Sequence, residues 1–215
     1  MGTVFLASRA DGHYRSEVAI KILHEQIGAG DVLGRFRTER QVLATLNHPG
    51  IAKLLDGGAM ADGTAYLVME YVDGVHLDEW RRRDNPALVA RLQLVRAICS
   101  AVQYAHEHQI IHRDIKPSNI LIASDGSPKL LDFGIAKVLA DDPNSTMAGL
   151  TTGTYLMTPQ YASPEQVRGE PITPATDVYS LGLVMYELLC DELPYAVSSR
   201  DPAQVARSGS RRSIA

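Results

Sequence analysis

The chain has 215 residues, enough for one large or two small domains with a real core. Its formal net charge of −4 and near-neutral mean hydropathy suit an ordinary soluble globular chain and give no basis for nucleic-acid or membrane-surface binding. The longest apolar run, Leu181 to Cys190, is broken by Glu187 and is too short to span a bilayer, and Met1 runs straight into strand-like sequence, so neither a membrane segment nor a signal peptide is expected. The two cysteines, Cys99 and Cys190, fall in apolar helical patterns and are expected to be buried and reduced, which suits a cytoplasmic location.

In chain order, Gly2 to Ala7 is rich in β-formers, Asp11-Gly12 is a turn signal and Val18 to Leu23 is a second strand, so a hairpin is expected. Asp31 to Leu46 reads as a helix whose apolar stripe holds Leu33, Phe36, Leu43 and Leu46, with Glu39 on the same face. A carboxylate on a core-facing stripe needs a partner. Lys21, on an otherwise apolar strand, has the complementary need. Either the two pair, or Lys21 snorkels to solvent and Glu39 sits at the stripe edge. Ala65 to Val72 is a buried strand ending at Asp73-Gly74. Ala87 to His108 is a long helix with a predicted stripe of Leu88, Leu92, Val95, Cys99, Val102 and His106. His106 and His108 are expected to be structural or exposed rather than catalytic.

That helix delivers the chain to His112-Arg113-Asp114-Ile115-Lys116-Pro117-Ser118-Asn119, which reads H-R-D-x-K-P-x-N. A short hairpin is expected next, Ile120-Leu121-Ile122 and Lys129-Leu130-Leu131 around Asp125-Gly126, bringing Asp114 and Asp132 to one edge. Asp132-Phe133-Gly134 follows. Any one of these blocks is a weak signal. In this order, with Val18-Ala19-Ile20-Lys21 upstream and Ser163-Pro164-Glu165 downstream, they match the protein-kinase signature set. The chain therefore resembles the protein Ser/Thr kinases, and the string from Met157 to Gly169 is similar to eukaryotic-like kinases of bacteria. No zinc spacing, G-x-S-x-G or Walker loop supports another chemistry.

The resemblance implies an α+β, two-lobed kinase-like fold. Residues 1–72 would form a small β-rich lobe with one helix, 73–197 a larger and mainly helical lobe, and 198–215 reads as a disordered tail. It implies transfer of the γ-phosphate of Mg·ATP to Ser or Thr hydroxyls, including those of its own activation loop. Asp114 would orient the attacking hydroxyl and accept its proton, Lys116 would reach the transferring phosphate, and Asn119 and Asp132 would hold Mg²⁺. Lys21, positioned by Glu39, would place the ATP phosphates. Gly2 and Val4 would stand for the last glycine and the valine of the phosphate loop. Ala19, Met69, Glu70, Val72 and Leu121 would surround adenine, with Met69 gating the back pocket. Lys116 followed by Pro117 is the Ser/Thr form of the loop.

Ile135 to Tyr161 is polar and rich in Ser and Thr, with Ser145, Thr146, Thr151, Thr152 and Thr154 as candidate phosphosites. Thr151 and Thr152 are the regulatory candidates among them. Arg113 would bind such a phosphate. Thr158, before Pro159, stands where the family places a threonine touching the catalytic Asp and Lys. Thr173-Pro174 resembles an N-cap followed by proline, opening a helix with Val178, Leu181, Met185 and Leu188 on one face. Asp177 would tie the catalytic loop to that helix through backbone N–H groups, or simply favour the helix N-terminus, or do both. Against the family pattern, the first strand, two glycines and the last helices are absent, so the chain reads as a fragment or altered product. A rival reading follows, that of a catalytically incompetent module binding nucleotide or protein. The expected partners are ATP and protein substrates, with no nucleic acid, and with room for a homodimer that phosphorylates in trans.

Overall fold

The structure is a computed structural model and describes residues 2–8, 10, 17–26, 40–133 and 160–195, with the side chains of 24–26 excepted. Strands β1 (Gly2–Ser8) and β2 (Glu17–Gln26) form the expected antiparallel hairpin, with Val4 opposite Lys21 and Gly2 opposite Leu23. β2 is central because Val18, Ala19, Ile20 and Ile22 suit a strand flanked on both sides. Its other neighbour is β4 (Thr64–Glu70), which pairs in turn with β3 (Leu54–Ala59) in the order β1-β2-β4-β3. The sequence reading anticipated β4 and missed β3, whose Gly57-Gly58 pair depresses strand propensity. Of the helix expected over 31–46, residues 40–44 are helical, and Leu43 and Leu46 are buried. Leu33, Phe36 and Glu39 lie outside the described residues.

The second sheet has the order β5-β6-β7, from Gly74–His76, Ile120–Ala123 and Pro128–Leu130. The turn between β6 and β7 is the one expected at Asp125-Gly126. Gly126 takes φ +82°, and the Asp125 carboxylate accepts from the Ser127 N–H and hydroxyl. Gly74 has no room for a side chain, because a Cβ there would collide with the Ile122 carbonyl of β6. The two sheets are stitched together through residues 50–52. Ile51 bridges Leu130, the Leu130 N–H donates to the Gly50 carbonyl (2.8 Å), and the Ala52 N–H donates to the Leu130 carbonyl (2.9 Å).

After the helical residues 40–44, the described helices are α1 (Leu77–Asp84), α2 (Leu88–Glu107), α3 (Pro164–Arg168) and α4 (Pro174–Cys190). The core runs from Leu43, Leu46 and Ile51 through Leu94, Ile98, Ala101 and Ala105 to Ile115, Ile120, Leu130, Val184 and Leu188. Two predicted stripes are corrected here. On α2 the buried face is Arg91, Leu94, Val95, Ile98, Ala101, Val102 and Ala105, while Leu88, Leu92 and Cys99 are exposed. On α4 it is Thr176, Asp177, Ser180, Leu183, Val184 and Leu188, while Val178 and Met185 are exposed. Cys190 is exposed as well, so neither cysteine has the expected burial.

The reason is common to both helices. The packed faces carry polar groups whose needs are met by backbone and side-chain groups outside the helix itself. Arg91 donates to the Leu188 carbonyl (2.7 Å) and the Pro86 carbonyl (2.9 Å). The Ser180 hydroxyl donates to the Tyr161 carbonyl (2.8 Å), and the Thr176 hydroxyl to Glu165 (2.6 Å). A residue-type scale treats such side chains as solvent-seeking and turns the predicted face away from them. Thr173 does take the N-cap position of α4 with Pro174 after it, but its side chain makes no capping hydrogen bond.

Candidate active site

The catalytic-loop candidates are held from three sides. α2 ends at His108, and the Ile110 N–H returns to the Ala105 carbonyl (2.9 Å), which turns the chain inward. Asp177, on the first turn of α4 and buried, receives that turn. Its Oδ2 accepts from the His112 N–H (2.8 Å) and from His106 Nε2–H (2.8 Å), and its Oδ1 accepts from the Arg113 N–H (2.8 Å). Burial opposes the charge of this carboxylate, but the hydrogen bonds from His106 and the two backbone N–H groups outweigh it and hold the pKa below the usual aspartate value. Both roles weighed for Asp177 thus coexist, a tie to the loop and a negative charge at a helix start. His106 is structural, as expected.

His112 carries the connection onward. Its ring is buried, and burial pushes its pKa down, so it is neutral at pH 7. Nε2–H donates to the Leu131 carbonyl (2.8 Å), which leaves Nδ1 to accept from the Asp114 N–H (3.3 Å). The ring also packs on Phe133, with centroids 4.6 Å apart. One side chain therefore ties the backbone at Asp114 to that at Leu131, the residue before Asp132.

Asp114 is bound by its own loop. Its Oδ2 accepts from Asn119 Nδ2 (2.9 Å) and pairs with Lys116 Nζ (2.8 Å). Asn119 Nδ2 also donates to the Asp114 carbonyl (2.8 Å), so both amide protons are used and the amide oxygen is left to face elsewhere. The Asn119 carbonyl accepts from the Leu131 N–H (2.9 Å), which places Asp132 beside it. Asp132 sits at φ +54°, a conformation that non-glycine residues adopt only when held there. Its Oδ2 pairs with Lys21 Nζ at 2.8 Å, and its Oδ1 is buried with no hydrogen-bond partner among the described residues. A buried carboxylate oxygen without a partner among the described residues, with the Asn119 amide oxygen as a second hard donor, is of the chemistry that suits a cation with oxygen preference, such as Mg²⁺. Among the described residues there is no cluster of three or more His, Cys, Asp or Glu that could hold a metal ion by itself.

The remaining candidates line the two sheets. Ala19 on β2 faces Met69 on β4, Val18 faces Glu70, and Leu121 lies between His76 and Lys129 on β6. The Glu70 N–H is taken by the Lys53 carbonyl (2.9 Å), so an adenine contact there would have to use its carbonyl. The Glu70 carboxylate holds Lys129 Nζ (2.7 Å) and the Lys53 N–H (3.1 Å), a tie between the sheets that the sequence did not suggest. Val72 is half-buried beyond the strand end, and Val4 is exposed on β1. Gly2 has a packing reason of its own, since a Cβ there would strike the Ile22 carbonyl. Glu39, Thr151, Thr152 and Thr158 lie outside the described residues, so the Lys21–Glu39 pair and the phosphosites have no structural reading here.

Residues 1–212 match the family described as the protein kinase domain. The chain belongs to the protein kinase family. It is 41% identical over 211 residues to the serine/threonine-protein kinase PknB of Mycolicibacterium smegmatis, covering 96% of this chain and 33% of that protein. It is 41% identical over 197 residues to the serine/threonine-protein kinase PrkC of Bacillus subtilis, covering 91% of this chain and 29% of that protein. The chain thus spans about a third of the length of these curated relatives. Among solved structures it is similar to the kinase domain of Mycobacterium tuberculosis PknI (TM-score 0.68, 28% identity, 93% of this chain and 71% of that one). It is also similar to Rad53 in complex with AMP-PNP (TM-score 0.71, 26% identity, 95% of this chain and 50% of that one). The fold is that of a protein kinase, a β-sheet lobe joined to a helical part, as the motifs implied. Among the described residues no helix is long and apolar enough to cross a membrane.

Proposed function

We propose that the protein transfers the γ-phosphate of Mg·ATP to Ser or Thr hydroxyls of proteins. The observation that carries the reading is the Asp132 carboxylate, whose Oδ2 pairs with Lys21 and whose Oδ1 is buried with no hydrogen-bond partner among the described residues. Asn119 and Asp132 would hold Mg²⁺, which when bound screens the charge of the phosphates. Lys21 sits where a cation could exchange Asp132 for phosphate oxygens. Asp114, held by Asn119, would orient the attacking hydroxyl and take its proton. Lys116, paired here with Asp114, would neutralise charge on the transferring group. The names of the PknB and PrkC relatives support the Ser/Thr preference, and the Rad53 complex with AMP-PNP supports an ATP-like nucleotide as ligand. Phosphorylation at Thr151 or Thr152 with Arg113 as the phosphate receiver, and a contact of Thr158 with the catalytic pair, extend the same reading.

The test is transfer of labelled γ-phosphate from Mg·ATP to a generic basic protein and to the chain itself, with Asp114→Asn alongside. Label with the wild type and none with the variant is the expected result. Equal labelling by both would remove Asp114 from its role. Nucleotide-dependent stabilisation without any transfer would favour a binding module instead.

A further inference from the structure

Arg113, immediately before Asp114, adopts φ +66°, in the left-handed region. A β-carbon residue stays there only if its neighbours hold it. Both of its peptide groups are held. The N–H is taken by Asp177, as described above. The carbonyl accepts from Nε2–H of Gln166 at 2.8 Å. Gln166 belongs to α3, 53 residues further on, and its amide has a second attachment. Its Oε1 accepts from the Ser163 N–H (3.1 Å), while its own N–H donates to the Ser163 hydroxyl (3.3 Å), closing the capping box of α3. The same side chain thus caps a helix with its oxygen and clamps the catalytic loop with its nitrogen.

We propose that Gln166 is a positioning residue for phosphoryl transfer, acting through the Arg113 peptide on the orientation of Asp114. The inference rests on the role assigned to Asp114 under Proposed function. Asp177 holds the Arg113 N–H, and the N–H side of the following peptide is tied by the long bond from Asp114 to His112 Nδ1 (3.3 Å). The shorter Gln166 bond (2.8 Å) fixes the carbonyl side of that same peptide and so sets where the Asp114 side chain leaves the loop. Because α3 directly follows the segment that carries the candidate phosphosites, the clamp also gives that segment's C-terminal anchor a mechanical hold on the loop.

The two attachments of Gln166 can be separated chemically. Gln166→Glu keeps an oxygen for the Ser163 N–H and adds a charge that suits a helix N-terminus, but its ionised carboxylate cannot donate to the Arg113 carbonyl. Ser163→Ala removes the hydroxyl from the cap and leaves the Gln166 donor in place. The proteins are compared for melting temperature, for steady-state phosphorylation of a basic protein, and for amide hydrogen exchange at His112, Arg113 and Asp114. Expected for Q166E are a modestly lower melting temperature from the lost bond to the Arg113 carbonyl, a kcat lower by about tenfold (the worth of one net hydrogen bond), an unchanged KM for ATP, and faster exchange at these amides. S163A is expected to melt lower and to keep wild-type kcat. Gln166→Ala loses both attachments and should show both effects. Wild-type kcat in Q166E, or a raised KM with kcat retained, or unchanged loop exchange, overturns the proposal. Asp114→Asn is assayed beside them. If it too retains activity, the reading of Asp114 has failed, whereas a dead D114N with a fully active Q166E removes only Gln166.

Discussion

Replacing Asp177 by Asn tests whether the catalytic loop is held by charge. The carboxylate offers two oxygens to three donors, the N–H groups of His112 and Arg113 and the His106 imidazole, each at 2.8 Å and at a site only 1% exposed. An amide has one acceptor atom and one donor atom. Whichever way the substituted side chain turns, a backbone N–H faces an NH₂ group. The loss is one charge-assisted hydrogen bond and one buried donor left unsatisfied, which together cost about 3 kcal/mol. For a domain of this size that corresponds to a fall in melting temperature of roughly 6–12 °C. Urea unfolding should show a lower midpoint with an unchanged slope. The effect should also depend on pH with a definite sign. Asp177 has a folded pKa below its ordinary value of 3.8, so its contribution is fully present well above pH 3.8 and disappears as pH falls through that value toward the folded pKa. Wild-type and D177N midpoints should therefore converge in acid. A variant that melts within about 2 °C of wild type at pH 7 would refute the reasoning, because no arrangement of one amide satisfies all three donors.

The other predictions concern separate elements. Lys21→Met should leave Asp132 without its cationic partner and lower kcat/KM for ATP about a hundredfold; unchanged turnover would show that the 2.8 Å pair is incidental to nucleotide placement. Arg91→Met keeps the buried stem but frees the Leu188 carbonyl at the end of α4, and should cost about 2 kcal/mol in urea unfolding with little change in activity. His112 is kept neutral by burial, with its pKa below 6.5, so the unfolded chain takes up a proton that the folded chain refuses. Wild-type stability should fall as pH drops below about 6.5, by up to about 1.4 kcal/mol per pH unit, and His112→Gln should flatten that slope when unfolding is followed across the range.

What the sequence determined by itself was local chemistry in fixed order. The block from His112 to Asn119, the Asp132-Phe133-Gly134 triplet and Val18 to Lys21 identify the family because each needs particular side chains at particular spacings. The two hairpins were legible for the same reason, since alternation and a turn such as Asp125-Gly126 act within a few residues. The helix faces were not. Whether Arg91 or Asp177 can be buried depends on carbonyls and N–H groups supplied from about 60 to 100 residues away, so a stripe drawn from residue type turned toward Leu88, Cys99, Val178 and Met185, which the fold exposes. The pairing of Lys21 with Asp132, the left-handed backbone at Arg113 and Asp132, and the double attachment of Gln166 belong to the same class. Each joins groups that are distant in the chain, and only the packed structure decides which polar groups meet, because their desolvation must be offset by partners that no local pattern contains.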